Sequence, residues 1–321
     1  MPPEIVADRP DLLGENPLWH AVEQALYRVD YLRGEVRRFD PATGRDETIY
    51  TGPKVSGFTL QADGSLLLLA EGARVVRWQD GVPTVLLEGF PGSEGMHFND
   101  CIADPRGRVY TGTVPDDPDR YADRVGVLVR IDRDARVTPL VEGIGISNGL
   151  GFSPQADRLY FADTLSCRID VFDYDVDSGN LSNRRLFVDL SAGPGRPDGL
   201  AVDHEGHVWS ARWDGSAVHR YAPDGRLFIS FRDTTHVSPT KGDWVGWIGH
   251  YEDIVKGTEG QYRVRIMDNK KGQDTTYPGV EVLPDGTFVT TTYGHWTEGE
   301  EAYVVSVRFN LAELDAKLGG K

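Results

Sequence analysis

The chain is poor in sulfur and lacks any long apolar run. Its 321 residues include two cysteines and three methionines. Cys101 and Cys167 have neither the spacing of a metal knuckle nor enough partners for a disulfide framework, and each adjoins strand-like sequence, so both are expected as buried free thiols. No stretch of about 18 apolar residues occurs, so a membrane-spanning helix is not expected. Met1-Pro2-Pro3-Glu4 also lacks the basic start and apolar run of a secretion signal, which makes the cytoplasm the expected compartment. Basic residues are scarce as well: 34 Lys and Arg against 50 Asp and Glu leave a net charge of -16. A nucleic-acid backbone or an anionic membrane would therefore be repelled. The remaining partner is a small molecule, and nothing in the sequence specifies an oligomeric state.

Turn residues and repeats are abundant, with 37 Gly and 19 Pro in the chain. Six hairpins share one grammar: LWHAVEQALYRVD, FTLQADGSLLLLAEG, DCIADPRGRVYTGT, LGFSPQADRLYFADT, LAVDHEGHVWSARW and VEVLPDGTFVTTTY. An apolar strand enters a polar turn and a strand rich in Val, Leu, Tyr, Phe and Trp leaves it. Second hairpins follow at VRRFDPATG, VVRWQDG, LVRIDRDAR, IDVFDYDVDSG and VHRYAPDG. The turns at Gly64, Gly107, Asp157 and Gly206 lie 43, 50 and 49 residues apart, the span of a four-stranded propeller blade. The pattern predicts an all-β, six-bladed β-propeller made of a single domain, residues 1–321. After the last first-hairpin only Tyr303 to Phe309 reads as a further strand, so Glu4-Ile5-Val6-Ala7 is expected to complete that blade and close the ring. Gly206 and Gly286 are 80 residues apart, which implies an insertion between blades near residues 236–274.

Glu15, Asn99, Asn148 and Asp198 occupy the same point of four repeats, each eight or nine residues before a hairpin turn. Equivalent positions in a propeller converge on its axis. Two carboxylates and two amide carbonyls meeting there would form a site for a hard divalent cation, most simply Ca2+, with Zn2+, Mn2+ or Mg2+ as alternatives. Ser56 and Pro278 hold the corresponding place in the second and sixth repeats, leaving that side open to water and substrate. The plain alternative is that Asn148-Gly149 and Asp198-Gly199 merely begin strands with turn chemistry.

Leu13-Gly14-Glu15-Asn16-Pro17-Leu18-Trp19, His97-Phe98-Asn99-Asp100, Ser147-Asn148-Gly149-Leu150-Gly151-Phe152-Ser153-Pro154 and Pro197-Asp198-Gly199-Leu200-Ala201-Val202-Asp203 resemble the successive signatures of the gluconolactonase, senescence-marker-protein and luciferin-regenerating-enzyme family. The resemblance spans about residues 10 to 230. It implies a six-bladed propeller that binds one divalent metal and hydrolyses sugar lactones or related esters. It also implies metal ligation by Glu15, Asn148 and Asp198, with Asn99 as a substrate contact or fourth ligand, as in the similar diisopropyl fluorophosphatase. Sugar-lactone members commonly carry Arg two residues before the third-blade Asn, where it contacts substrate hydroxyls. This chain has His97 there, which argues against gluconolactone itself.

The C-terminal part reads differently. Lys241-Gly242-Asp243-Trp244-Val245-Gly246-Trp247, His250-Tyr251-Glu252-Asp253 and the stretch from Tyr277 to Trp296 resemble sialidase-like propellers of the Asp-box type. Arg263, Arg265 and Arg308 do not read as the arginine cluster of a sialidase site and are expected as strand-edge charge. Trp244, Trp247, His250 and Tyr251 could stack on a sugar ring or could form a small core beneath a loop; Trp247 and His250 are the substrate-contact candidates. His97 could likewise polarise substrate or take a proton.

The chemistry these residues imply is metal-assisted hydrolysis of a lactone or related cyclic ester. Asp198 is the candidate general base, Asn99 and His97 face the substrate, and Glu15 and Asn148 fix the ion. A phosphotriesterase on the same metal ring, a sialidase-like glycosidase and a non-catalytic binding propeller are the alternatives.

Overall fold

The structure is a computed structural model that describes residues 9–191, 195–223, 225–234, 237–271, 278–283 and 287–318. Strands dominate because the sequence alternates or runs apolar between turn residues. Four sheets have four antiparallel strands each. The first contains β1 (Gly14–His20), β2 (Ala25–Asp30), β3 (Glu35–Asp40) and β4 (Arg45–Thr51). The second contains β5 (Val55–Leu60), β6 (Leu66–Ala70), β7 (Arg74–Gln79) and β8 (Val82–Leu87). The third contains β9 (Met96–Ala103), β10 (Val109–Pro115), β11 (Gly126–Ile131) and β12 (Val137–Ile144). The fourth contains β13 (Ser147–Phe152), β14 (Arg158–Asp163), β15 (Arg168–Tyr174) and β16 (Leu181–Asp189).

Three-stranded sheets follow: β17 (Arg196–Val202), β18 (Val208–Trp213) and β19 (Ala217–Tyr221); β20 (Leu227–Arg232), β21 (Trp244–Gly249) and β22 (Tyr262–Met267); β23 (Gly279–Val282), β24 (Phe288–Gly294) and β25 (Tyr303–Phe309). The helices among the described residues are short, namely α1 (Tyr251–Lys256) and α2 (Leu311–Leu318). None is long and apolar enough to cross a membrane.

Each of the six expected first hairpins is present, and β25 has the bounds read from the sequence. The sheet count differs from six blades of four strands, because the described residues form seven sheets. The expected fourth strand of the fifth unit, β20, pairs with β21 instead of β19. Two forces explain this. All six residues of β21 are buried, so it needs neighbours on both edges. Phe228 on β20 packs its ring 5.3 Å from Phe288 and 5.0 Å from Phe309, which commits β20 to the sheets that follow. The segment read as an insertion thus supplies β21, α1 and β22 rather than an unstructured loop. The closing strand at residues 4–7 lies outside the described residues. Both cysteines are free, as expected, with Cys101 buried and Cys167 only partly so.

The chain divides into two compact units. The first holds residues up to Leu186 with Pro194–Ala201 and Ser210–Val218; the second holds Phe187–Gly193, Val202–Trp209 and the remainder. In the first unit, neighbouring four-stranded sheets bury their faces against each other. Tyr27, Val29 and Val36 meet Phe58, Leu66 and Leu68. Leu69 and Val75 meet Phe98, Val109 and Val129, and Tyr110 and Leu128 meet Leu150, Leu159 and Phe161. Each such side chain contributes about 1.5–3 kcal/mol on burial, so this face-to-face stacking of sheets is the main stabilising force in the unit.

That stacking brings the innermost strands side by side in the order β1, β5, β9, β13. A Cβ on Gly57 of β5 would lie 2.9 Å from Cys101 Sγ of β9. A Cβ on Gly149 of β13 would lie 2.4 Å from Leu200 N and 2.6 Å from Asp198 O of β17. Only glycine permits these approaches.

Candidate metal centre

The inner strands share a further feature. The ladder from each to the next strand of its sheet loses register between Glu15 and Leu18 in β1, between Val55 and Gly57 in β5, between Ser147 and Leu150 in β13, and opposite Thr111 to Thr113, at Asn99 and Asp100, in β9. Bulges of this kind re-aim side chains, and Glu15, Asn99 and Asn148 sit at three of them. Asn16, with φ of 47°, follows Glu15 and turns its side chain outward to accept a hydrogen bond from Phe58 N at 3.0 Å. Ser56, at the fourth irregularity, donates to Leu69 O at 3.2 Å and offers no charge.

Of the four residues expected from the sequence, Asn148 and Asp198 are in direct contact, Glu15 lies within electrostatic reach of Asp198, and Asn99 bonds to the backbone beside Asn148. Asn148 Nδ2 donates to Asp198 Oδ1 at 2.5 Å and to Thr164 Oγ1 at 3.2 Å. Thr164 in turn donates to Pro197 O at 2.8 Å, which clamps β13 and β14 to the start of β17. Asn99 Nδ2 donates to Ser147 O at 2.7 Å, so its carbonyl oxygen points the other way. Glu15 keeps solvent contact, yet partial burial and the nearby charge of Asp198 both raise its pKa.

Sequence reasoning missed one member of the site. Asp100 was part of the His97-Phe98-Asn99-Asp100 motif but was assigned no role. Burial, reinforced by the charges of Glu15 and Asp198, pushes its pKa up to about 7, although it accepts a hydrogen bond from Cys101 N at 2.8 Å. Three carboxylates thus repel one another, and among the described residues no Lys, Arg or His forms an ion pair with any of them. An all-oxygen donor set with uncompensated negative charge fits a hard divalent cation.

The remaining candidates fall elsewhere. His97 Nδ1 lies 2.9 Å from Asp116 Oδ1, and its ring is 6.1 Å from that of Tyr31. Trp247 is buried in the second unit, where Nε1 donates to Glu259 O at 2.7 Å and the ring packs on Gly249 and Gly260. It is therefore engaged in a local core. His250 caps α1 through its backbone, donating N–H to Asp253 Oδ2 at 2.8 Å. Arg263 pairs with Glu259 at 3.1 Å and Arg265 with Asp243 at 2.8 Å, as strand-edge charges do.

The second unit holds another group of possible ligands, Asp203, Glu205 and His207, whose ligand atoms lie within 4.8 Å of one another. Arg220 already neutralises it, bonding Asp203 Oδ2 at 2.7 Å and Glu205. The equivalent turn in the second sheet repeats the device, with Asp63 accepting from Ser65 N at 3.0 Å and Arg77 Nη2 at 2.6 Å. The Asp–Arg pair is therefore a way of bracing a hairpin.

Comparison with known proteins agrees with this architecture. The family model described as SMP-30/Gluconolactonase/LRE-like region matches residues 13–240. The chain is 41% identical over 222 residues to the pentonolactonase XacC of Haloferax volcanii, covering 68% of this chain and 73% of that protein. It is 35% identical over 224 residues to a 6-deoxy-6-sulfogluconolactonase of Pseudomonas putida, covering 69% and 76%. In fold it is similar to a calcium-binding protein, regucalcin, from Agrobacterium tumefaciens, with a TM-score of 0.62 and 24% identity over 89% of this chain and 84% of that one. The chain belongs to the SMP-30/gluconolactonase/LRE-like family.

Proposed function

We propose that this protein is a divalent-metal-dependent hydrolase of a lactone, with its site at Glu15, Asn99, Asn148 and Asp198. The observation that carries this reading is the convergence of these oxygen donors with Asp100, as a group of carboxylates that no cation among the described residues compensates. Relatives named as lactonases supply the substrate class, and a relative described as calcium-binding favours Ca2+.

Glu15, Asn148 and Asp198 would hold the ion, with Asn99 as fourth ligand or substrate contact. When bound, the cation would act as a Lewis acid on the lactone carbonyl and offset the negative charge that develops there. Asp198 orients the attacking water and accepts its proton. The Asn148 amide, anchored on Thr164, keeps one Asp198 oxygen turned toward β13. Asn99 is held by Ser147 O in the orientation that presents its carbonyl oxygen. In the finer architecture we infer, β23–β25 is the sixth blade, and the segment around 236–274 contributes β21 and β22 to the sheet that precedes it. A sialidase-like role for the C-terminal part would need an arginine cluster, whereas Arg263 and Arg265 are engaged in strand-edge pairs.

The test is hydrolysis of a panel of lactones, with organophosphate triesters alongside, after chelation and after return of Ca2+, Zn2+, Mn2+ or Mg2+. Lactone turnover lost on chelation and regained with a divalent ion is the expected result. Turnover indifferent to chelator would refute the metal assignment, and preferential cleavage of triesters would refute the substrate class.

A further inference from the structure

Four of the first five repeats place an aromatic ring three residues after the turn residue of the first hairpin: Tyr27 after Gln24, Tyr110 after Gly107, Tyr160 after Asp157 and Trp209 after Gly206. The second repeat has Leu67 after Gly64. The ladders bear out the equivalence, since Tyr27, Leu67 and Tyr110 each lie opposite an arginine on the third strand of the sheet, namely Arg38, Arg77 and Arg130. Where the ring is present, it fills the space between its sheet and the next. Tyr27 lies 6.3 Å from the ring of Phe58 on β5. Tyr110 meets Phe152 at 5.4 Å and Tyr174 at 6.0 Å, both edge to face, and donates to Gly179 O at 2.7 Å. Between the second and third sheets Leu67 leaves a cavity of about 630 Å³ at the hairpin ends of β5–β6 and β9–β10, with no aromatic residue in its lining.

The lining is apolar within and charged at the rim. Val75, Val109 and Ile131 are buried, whereas Leu60, Leu67 and Ala103 are only half-buried and keep apolar surface open to solvent. The carboxylates of the lining are all engaged. Asp63 accepts from Arg77 Nη2 at 2.6 Å, Asp104 accepts from Arg108 Nε at 2.5 Å, and Asp132 pairs with Arg130 at 2.8 Å. Arg106 in turn pairs with Asp177 at 2.5 Å. Arg133 is left over. Among the described residues its guanidinium forms no ion pair, and its Cδ lies 3.6 Å from where a Cβ on Gly107 would stand, on the hairpin turn at the rim.

We propose that this cavity binds a small aromatic carboxylate, whose ring takes the place that Tyr27 and Tyr110 fill between their own sheets and whose charge pairs with Arg133. The volume lies within the range of small-molecule sites, which combine apolar walls with a few polar groups. A ring set against Leu60, Leu67 and Ala103 would remove their remaining apolar surface from water. The chain's net charge of -16 does not oppose the anion, because charges farther than about 8 Å are largely screened and the unpaired charge at the rim is positive. A cationic ligand would find each lining carboxylate already taken. None of Glu15, Asn99, Asn148 and Asp198 lines this cavity, so the proposal is independent of the reading of the protein as a lactonase.

The experiment is a fluorescence titration of 2-naphthoate and of neutral 2-naphthylmethanol with the full chain, in Ca2+ and again in chelator. Wild type should bind 2-naphthoate saturably in both, with a Kd of about 1 mM or tighter, the ordinary reach of a ligand with about 13 non-hydrogen atoms. Arg133→Gln should weaken 2-naphthoate about tenfold, the usual effect of losing a charge-assisted hydrogen bond, and leave 2-naphthylmethanol unchanged. Leu67→Tyr restores the ring of the other repeats and should abolish binding of both probes. Melting curves confirm the fold of each variant. Arg133 is exposed, so Arg133→Gln decides by itself if Leu67→Tyr does not fold. No saturable binding by wild type, equal affinity in Arg133→Gln, or undiminished binding by folded Leu67→Tyr would overturn the proposal. Binding that disappears with chelator would overturn it too, since the carboxylate would then sit on the metal.

Discussion

Replacing Asp198 by Asn should change stability in opposite directions with and without metal. In the metal-free protein, Asp100 is pushed from an ordinary carboxylate value near 3.8 to about 7. Three units correspond to about 4 kcal/mol of charging cost. Burial is the largest cause and the charges of Glu15 and Asp198 supply smaller parts, so removing Asp198's charge should return on the order of 1 kcal/mol. The pKa of Glu15, which burial and Asp198 both raise, should fall as well. With Ca2+ the sign reverses, since the same substitution removes a charged ligand. A 100-fold loss of affinity would remove about 2.7 kcal/mol of metal-dependent stabilisation. The assay is a pair of melting curves for wild type and Asp198→Asn, one with chelator and one with millimolar Ca2+, together with lactone hydrolysis followed by acid release. The variant should melt slightly higher than wild type in chelator, gain little from Ca2+ and be inactive. Undiminished hydrolysis in Asp198→Asn, or an equal Ca2+ gain in both proteins, would refute the assignment.

Three further outcomes follow from the geometry. Gly149→Ala puts a Cβ within 2.4 Å of Leu200 N and 2.6 Å of Asp198 O; it should cost about 2–3 kcal/mol in urea denaturation and weaken Ca2+ binding by shifting Asp198. Asp104→Ala removes the buried carboxylate that Arg108 meets at 2.5 Å and Tyr174 at 2.7 Å, leaving the Arg108 charge between the third and fourth sheets with only the neutral acceptors Val176 O, Asp177 O and Tyr174 Oη. A loss of about 3 kcal/mol is expected, and a loss below 1 kcal/mol would show that solvent reaches the guanidinium. Asp203 titrates near 2, since hydrogen bonds from Trp209, Arg220 and His207 N outweigh the opposing effect of burial. Because its folded value lies below its unfolded one, its stabilisation is present above about pH 4 and is lost as pH falls toward 2. Asp203→Asn should therefore cost about 2 kcal/mol at pH 7 and almost nothing at pH 2, as read by denaturant titration at the two pH values.

The hairpins were legible because their information is local. The turn at Gln61 to Ser65 is made by Gly64 and by Asp63 accepting from Ser65 N, and both residues can be read without knowing what packs on them. The strand from Tyr303 to Phe309 was equally plain, bounded by polar sequence before it and by Asn310 after it. The partner of β20 was not legible. Leu227 to Arg232 follows a turn at Gly225 that would fold it back on β19, and the need of buried β21 for a neighbour, with the burial of Phe228 against Phe288 and Phe309, draws it to β21. Sequence separation hides that choice, since those rings lie 60 and more residues downstream.

The residues of the candidate site could be listed from the sequence, but not what gathers them. Glu15, Asn99 and Asn148 could be found by register, yet a regular strand would send alternate residues to opposite faces and could not gather neighbours such as Asn99 and Asp100 at one place. The irregularities solve this by leaving Asn16-Pro17, Asn99-Asp100 and Asn148-Gly149 out of their ladders, at or next to the candidate residues. They also explain Asp100. A bulge lets it contribute charge from behind Asn99 while its carboxylate takes the N–H of Cys101. The sequence signal was Asn followed by Asp at the axial position, which reads as turn chemistry unless the ladder is known to break there. Since Asp100 feels both Glu15 and Asp198, its charge belongs in the balance that selects the ion. Three carboxylates exceed what one divalent cation neutralises, so either Asp100 keeps its proton when metal is bound or the site holds a net negative charge that disfavours an anionic substrate. Asp100→Asn separates the two: unchanged Ca2+ affinity near neutral pH indicates the protonated form, and markedly weaker binding indicates the charged one.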